Sequence, residues 1–232
     1  MSDTDEPPRS RRGAAPRLTR ERILDEAIAL IERHGAGALS MRRLGSALGV
    51  EGMAIYHHFG SRDDLLAAIG DRLLEPLHAL DLGADWPTAC RRFATAIRDV
   101  AFAHPASFAL LGLQPFHSPL ALQPVERLLG VLVSAGFDPA TALGIYRATA
   151  SYARGYALAE STGFTVDAAR AEGRRRLAAL PASEFPILAG RAGELAALDA
   201  DSAFALGLRA LLGGLAEPGA LDRRARSEGP RP

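Results

Sequence analysis

The chain has 232 residues with 27 basic and 27 acidic side chains, so its net charge of zero names no partner in bulk. Hydrophobic residues make up 48% and charged ones 23%, which excludes the low-hydropathy, high-charge class of disordered chains. Leucine outnumbers the β-branched aliphatics, 34 Leu against 8 Ile and 6 Val, and an all-α fold is expected.

Residues 1–18 hold three Pro and the run RSRR with no apolar periodicity, and read as a disordered basic arm. Thr19 then caps a helix whose apolar face is Leu24, Ala27, Ile28 and Ile31, ended by His34-Gly35. Ser40 caps the short helix MRRLGSAL, with Met41, Leu44 and Leu48 inward, and Gly49 supplies the left-handed residue that ends it. After Val50 a second short helix runs from Gly52 to Phe59, with Ile55 and Phe59 inward. Ser61 and Asp64 form a capping box for a helix carrying Leu65, Ile69 and Leu73, which Pro76 is expected to halt. Longer helices are predicted over 86–104, 106–111, 120–135, 139–162, 167–180, 185–198 and 199–215. The stretch 216–232 reads as a second disordered tail, which leaves an N-terminal unit at 19–75 and a larger bundle at 81–215.

The segment from Ser40 to His58 carries the strongest functional signal. Two short helices joined by a tight turn, with Gly45 where their axes cross, make a helix-turn-helix. Such a unit exposes the outer face of its second helix, which fits the major groove of DNA. That face begins with Glu51 and then Gly52, Met53 and Ala54, three residues small or apolar enough to approach base edges, and continues with Tyr56, His57 and His58, which can donate to phosphates. Charge agrees locally: between Arg9 and Arg62 ten Arg face five acids, although every basic residue of the chain is Arg. An ordinary helical corner shows the same spacing.

Residues 18–75, above all LSMRRLGSALGVEGMAIYHHFGSRDDLLAAI, resemble the DNA-binding domain of the tetracycline-repressor-like (TetR/AcrR) family of bacterial transcriptional regulators. The resemblance implies that Ser40, Met41 and Arg42 lie against the groove edge, that Gly52, Met53 and Ala54 face bases, and that Tyr56, His57, His58 and Arg62 meet phosphates. More weakly, the remainder is similar to the ligand domain of the tetracycline-repressor branch, through His104-Pro105, LGLQP at 111–115, Tyr152-Ala-Arg-Gly155 and Phe204-Ala-Leu-Gly-Leu208. In tetracycline-binding members a His just before the LGxxP stretch and a Thr inside it help hold a magnesium–drug chelate. This chain has Leu110 and Leu113 there, and Ala159 or Glu160 near the place of a water-bridging acid, so a magnesium–tetracycline complex is not expected.

The resemblance groups His104, Phe108, Gln114, Phe116, His117, Tyr152 and Tyr156 as candidate effector contacts, a mixture suited to an apolar small organic ligand with one or two hydrogen-bonding groups. Two seams of small residues, Gly144, Ala148, Ser151, Gly155 and Ala203, Gly207, Ala210, Gly214, let helices approach closely. The family assigns those helices to a homodimer interface, and a two-fold dimer suits double-stranded palindromic operator DNA. No cofactor and no metal site are expected. An enzyme reading would pair Cys90 with His104, but 14 residues along one helix is ~21 Å, too far for the ~3 Å contact that chemistry needs. A dimeric ligand-binding protein without specific DNA binding is the other alternative. No apolar run reaches the ~18 residues of a membrane span and the N-terminus lacks a signal-peptide core, so a cytoplasmic regulator with no membrane partner is expected, and the resemblance implies a repressor, the most frequent role in this family.

Overall fold

A computed structural model describes residues 17–111, 118–162 and 171–216, and every regular element among them is helical. Residues 1–16 and 217–232 of the ends expected to be disordered, and Gln114, Phe116 and His117 with them, lie outside the described residues; Leu18 packs against the core and Ala216 belongs to the last helix, which correct the expected boundaries.

Helix α1 (Arg20–His34) starts where the Thr19 hydroxyl accepts from the Arg22 amide at 3.2 Å, and ends where Gly35, at φ 79°, returns its N–H to the Ile31 carbonyl. Its buried stripe is Ile23, Ala27, Ile28, Leu30 and Ile31, wider than predicted and turned away from half-buried Leu24, because neighbours pack on two sides of it. A 3₁₀ turn at 36–38 leads to α2 (Met41–Leu48), capped by Ser40 and closed by Gly49 in the left-handed region. Helix α3 (Gly52–Tyr56) is shorter than expected; the chain leaves it through turn bonds from His58 and Phe59 to the Ile55 carbonyl. Helix α4 (Arg62–Leu73) follows the Ser61 cap.

Pro76 does not end the helical path. It sits in the first turn of the short α5 (Glu75–His78), where its missing N–H has no helical partner to lose. Asp85 caps α6 (Trp86–Ala103), which is followed by α7 (Pro105–Leu111). Helix α8 (Pro119–Ser134) contains Pro124, which frees the Leu120 carbonyl; the His78 ring Nε2 donates to that oxygen at 2.9 Å.

Helix α9 (Pro139–Thr162) runs in the same direction as α6: Trp86 meets Phe137, Phe93 meets Tyr146 and Arg98 meets Glu160, so the contacts advance together along both. Helix α10 (Ala171–Ala178) is shorter than predicted within the described residues. The helix expected over 185–198 shrinks to α11 (Ala192–Leu195) after a series of turns. Pro186 has no N–H to give, and Gly190 is folded so tightly that a Cβ there would stand 2.4 Å from the Pro186 carbonyl. Helix α12 (Ala200–Ala216) lies antiparallel to α9, since Tyr152 meets Phe204 and Tyr156 reaches Ala200.

One apolar core runs from Ile23 through Leu44, Leu65 and Phe93 to Leu212, joining the N-terminal helices to the bundle. Leu177 and Ala192 form a separate small cluster with Leu180, Leu188 and Leu195.

Candidate nucleic-acid interface and effector domain

The α2–α3 pair is held by backbone packing. A Cβ on Gly45 would lie 2.8 Å from both the Gly52 nitrogen and the Val50 oxygen, and one on Gly52 would lie 3.2 Å from the Met41 oxygen. Only residues without side chains let the helices cross this closely, so the crossing sets which face of α3 points outward. Ile55 is fully buried and anchors the inner face. On the outside Met53 is 65% exposed and Tyr56 42%, with His57 and Arg62 exposed beside them and Ala54, Gly52 and His58 half-buried. Ser40 and Arg42 are exposed at the start of α2; the Met41 side chain is buried in the core and does not lie at the surface as the resemblance implied, a correction that its own inward position in the helix pattern explains. Arg43 shares a 610 Å³ hollow with Gly37, Ala38, Ser40, Arg42 and Ser46, a further exposed cation on this face that the sequence reading left out.

The bundle distributes the candidate effector residues. Phe108 is buried in the core. His104, at the end of α6, borders a 680 Å³ groove lined also by Ile28, Glu32, Arg72 and Leu73 of the N-terminal helices. The tyrosines instead face α12: the Tyr152 hydroxyl donates to the Phe204 carbonyl at 2.9 Å and the Tyr156 hydroxyl to the Ala200 carbonyl at 3.0 Å, with both rings against Phe204. Burial raises the Tyr152 phenol above its ordinary value, with the Tyr156 neighbour adding to the effect.

Beneath this aromatic cluster lies an ion-pair group absent from the sequence reading. Arg98 donates through Nε and Nη2 to the two Glu160 oxygens at 2.9 and 2.7 Å, and through Nη1 to Asp201 at 2.7 Å. The Arg98 and Glu160 side chains are each only 9% exposed, and these bonds raise the guanidinium's pKa further. Glu160 is thereby occupied within the chain. Among the described residues no group of three His, Cys, Asp or Glu is placed to hold a metal ion. Cys90 is buried, and desolvation pushes its thiol up to about 11, the reverse of an activated nucleophile.

The two small-residue seams have different surroundings. Gly144, Ser151, Gly155, Ala210 and Gly214 are exposed, and a Cβ at Gly144, Gly155 or Gly214 would meet nothing within 4 Å. Ala148 and Ala203 are half-buried, and Gly207 is a socket for its own chain's Tyr152, whose hydroxyl would lie 2.3 Å from a Cβ there. Leu206, half exposed, stands beside that seam. A direct tie joins the two regions: the Glu32 carboxylate, near the end of α1, accepts from the Ala106 and Ser107 amides of α7 at 3.1 and 2.8 Å.

Comparison with known proteins gives matches along most of the chain. Residues 23–69 match the family model for bacterial regulatory proteins of the tetR family, and residues 80–218 match the tetracyclin repressor-like C-terminal domain. An HTH-type transcriptional regulator of Saccharopolyspora erythraea is 32% identical over 178 residues, 75% of each chain. The HTH-type transcriptional repressor DrrR1 of Streptomyces coeruleorubidus is 29% identical over 134 residues, 56% of this chain and 50% of its own. Among solved structures, the Streptomyces coelicolor TetR family protein ActR in complex with actinorhodin superposes with a TM-score of 0.68 at 28% identity, over 86% of this chain and 97% of ActR. No helix among the described residues is long and apolar enough to cross a membrane.

Proposed function

Because the chain belongs to the TetR family of bacterial transcriptional regulators, we propose that it is a homodimeric repressor that binds a palindromic operator in the cytoplasm and is released by a small organic effector. The observation that carries this reading is the outward face of α3. Met53 is largely exposed there beside exposed Tyr56, His57 and Arg62, which supports base contact by Met53 and phosphate contact by the other three. The open seam of Gly144, Ser151 and Gly155 on α9, continued by Ala210 and Gly214 on α12, supports pairing of two copies, which would set two α3 helices about one helical turn (~34–36 Å) apart.

The Glu32 tie to α7 supports the switching part. Movement of α7 on effector binding would pull on α1, and a ligand favouring a different spacing of the two α3 helices competes with DNA through shape. ActR is seen with actinorhodin, which supports an organic effector here, and the Leu110 position and the occupied Glu160 speak against a magnesium chelate.

The test is an electrophoretic shift with duplexes that the protein enriches from a random pool. If six to ten phosphates are neutralised, affinity falls by roughly 10³–10⁵ between 50 and 200 mM salt, and the enriched site is palindromic. Binding indifferent to both salt and sequence would overturn the reading. Actinorhodin added to the complex then probes release, with magnesium and with EDTA expected to give the same result.

A further inference from the structure

Helix α3 has only five residues, far below the length at which a helix holds itself in water. Its entrance is fixed by the Gly45–Gly52 crossing, while Glu51 gives it no side-chain cap bond. Its exit has a separate support. The Arg20 guanidinium donates through Nη1 to the His58 carbonyl at 2.5 Å and lies over the Phe59 ring, 4.0 Å from its centroid. Phe59 is itself 1% exposed, so the surface under the guanidinium is rigid. Arg20 is the first residue of α1, whose first turn is set by the Thr19 cap and whose next turns are anchored by Ile23 and Ala27 in the core.

We propose that Arg20 is a positioning residue for operator recognition: by bonding the His58 carbonyl and stacking on Phe59, it fastens the exit of α3 to α1 and so fixes the angle at which Met53, Ala54 and Tyr56 meet DNA. This rests on the regulator reading above. A planar guanidinium can bond a carbonyl and lie flat on a ring at once, which an ammonium cannot, so the role requires Arg and not merely a positive charge. Specific binding needs α3 at one angle, whereas non-specific binding needs only charge near phosphates, and the two respond differently when the support is lost.

The experiment compares wild type, R20K and R20A on the duplex enriched by wild type from a random pool and on a scrambled duplex of equal length, across salt concentrations. Amide exchange of residues 56–59 is followed in the same proteins without DNA. The expected result is that R20K and R20A both lose about tenfold or more on the enriched duplex, as for loss of a charged hydrogen bond. R20K should stay near wild type on the scrambled duplex with an unchanged salt slope, and exchange at 56–59 should rise in both variants. Were Arg20 a direct phosphate contact instead, R20K would retain enriched-site affinity, while R20A would lose evenly on both duplexes and lower the salt slope by about 1; that outcome overturns the proposal. Unchanged exchange at 56–59 in both variants overturns it too. Failure of wild type to enrich any sequence would defeat the regulator reading, and the exchange data alone would still show whether the support exists.

Discussion

The α2–α3 and α9–α12 junctions are both helix pairs that meet at glycine, and they are built on opposite principles. At α2–α3 the absent Cβ of Gly45 would strike backbone, the Gly52 nitrogen and Val50 oxygen, so nothing can yield. At α9–α12 the absent Cβ of Gly207 would strike the end of the Tyr152 side chain, and the pair is otherwise joined by aromatic rings over the Arg98–Glu160–Asp201 group. The first junction fixes an angle through contact of main chains, and the second fixes a face through side chains that another set could replace. Glycine at Gly144 and Gly155 has a third meaning, an open helical surface where a Cβ would meet nothing within 4 Å among the described residues.

The largest effect should come from breaking the side-chain junction at its charged centre. Arg98→Met leaves Glu160 buried without its bidentate partner and should lower stability by about 3 kcal/mol. Urea unfolding monitored by helical signal checks this, and adding Glu160→Leu to Arg98→Met should recover most of the loss, because an apolar pair costs less than a lone buried charge. If the double variant is no better than the single one, the group matters for more than charge compensation.

Gly45→Ala tests the main-chain junction. The added methyl cannot be accommodated without separating α2 from α3, a cost of about 1–3 kcal/mol by overpacking, and binding to the enriched duplex should fall far more than stability does. Gly207→Ala should cost less, about 1–2 kcal/mol, since Tyr152 can swing aside at the expense of its bond to the Phe204 carbonyl. A Gly207 variant as damaging as the Gly45 variant would erase the distinction between the two junctions.

How much of this was legible in the sequence follows the range of each interaction. Ser40, Gly49 and Ser61 announced their helix ends because a cap is satisfied within three or four residues. Gly45 was legible because the helix-turn-helix fixes its neighbours. Arg20–His58, Arg98–Glu160 and Glu32–Ser107 were not, their partners lying 38, 62 and 75 residues apart, and nothing local selects one partner among 27 Arg and 27 acids. Tyr152 and Tyr156 were legible as helical aromatics; their hydroxyls' bonds to α12 depend on how two distant helices pack. Pro76 misled because proline both ends helices and begins them, and only the following turn decides which.

The open seam separates folding from assembly. Gly155→Leu places a better helix former on a surface with nothing within 4 Å, so the isolated chain should gain about 0.5–1 kcal/mol. If α9 pairs with a second copy along this seam, the same substitution should shift sedimentation toward monomer. A stabilised chain with unaltered sedimentation would place the dimer contact elsewhere.

The smallest effect concerns helix starts, where the carboxylate caps all lie in the bundle. Hydroxyls cap α1, α2, α4 and α8, from Thr19, Ser40, Ser61 and Ser118, whereas carboxylates cap α6, α9 and α12, from Asp85, Asp138 and Asp199. The Thr88 and Ser202 backbone amides and the Thr141 hydroxyl and amide bond these three carboxylates and hold all of them below the ordinary aspartate value; Glu21, beside Thr19, is the one carboxylate so shifted on the N-terminal helices. A depressed carboxylate contributes stability that is complete above its unfolded pKa of about 3.9 and is lost as pH falls through its folded value. Acid should therefore loosen the starts of α6, α9 and α12, and that of α1 through Glu21, below about pH 4 while the starts of α2 and α4 hold, a difference readable in amide protection factors compared between pH 5 and pH 3. Asp138→Asn keeps an effective cap but removes its titration, so the start of α9 alone should lose its acid sensitivity. Loosening that begins instead in α2 and α4 would show that acid acts through the ion pairs and not through the caps.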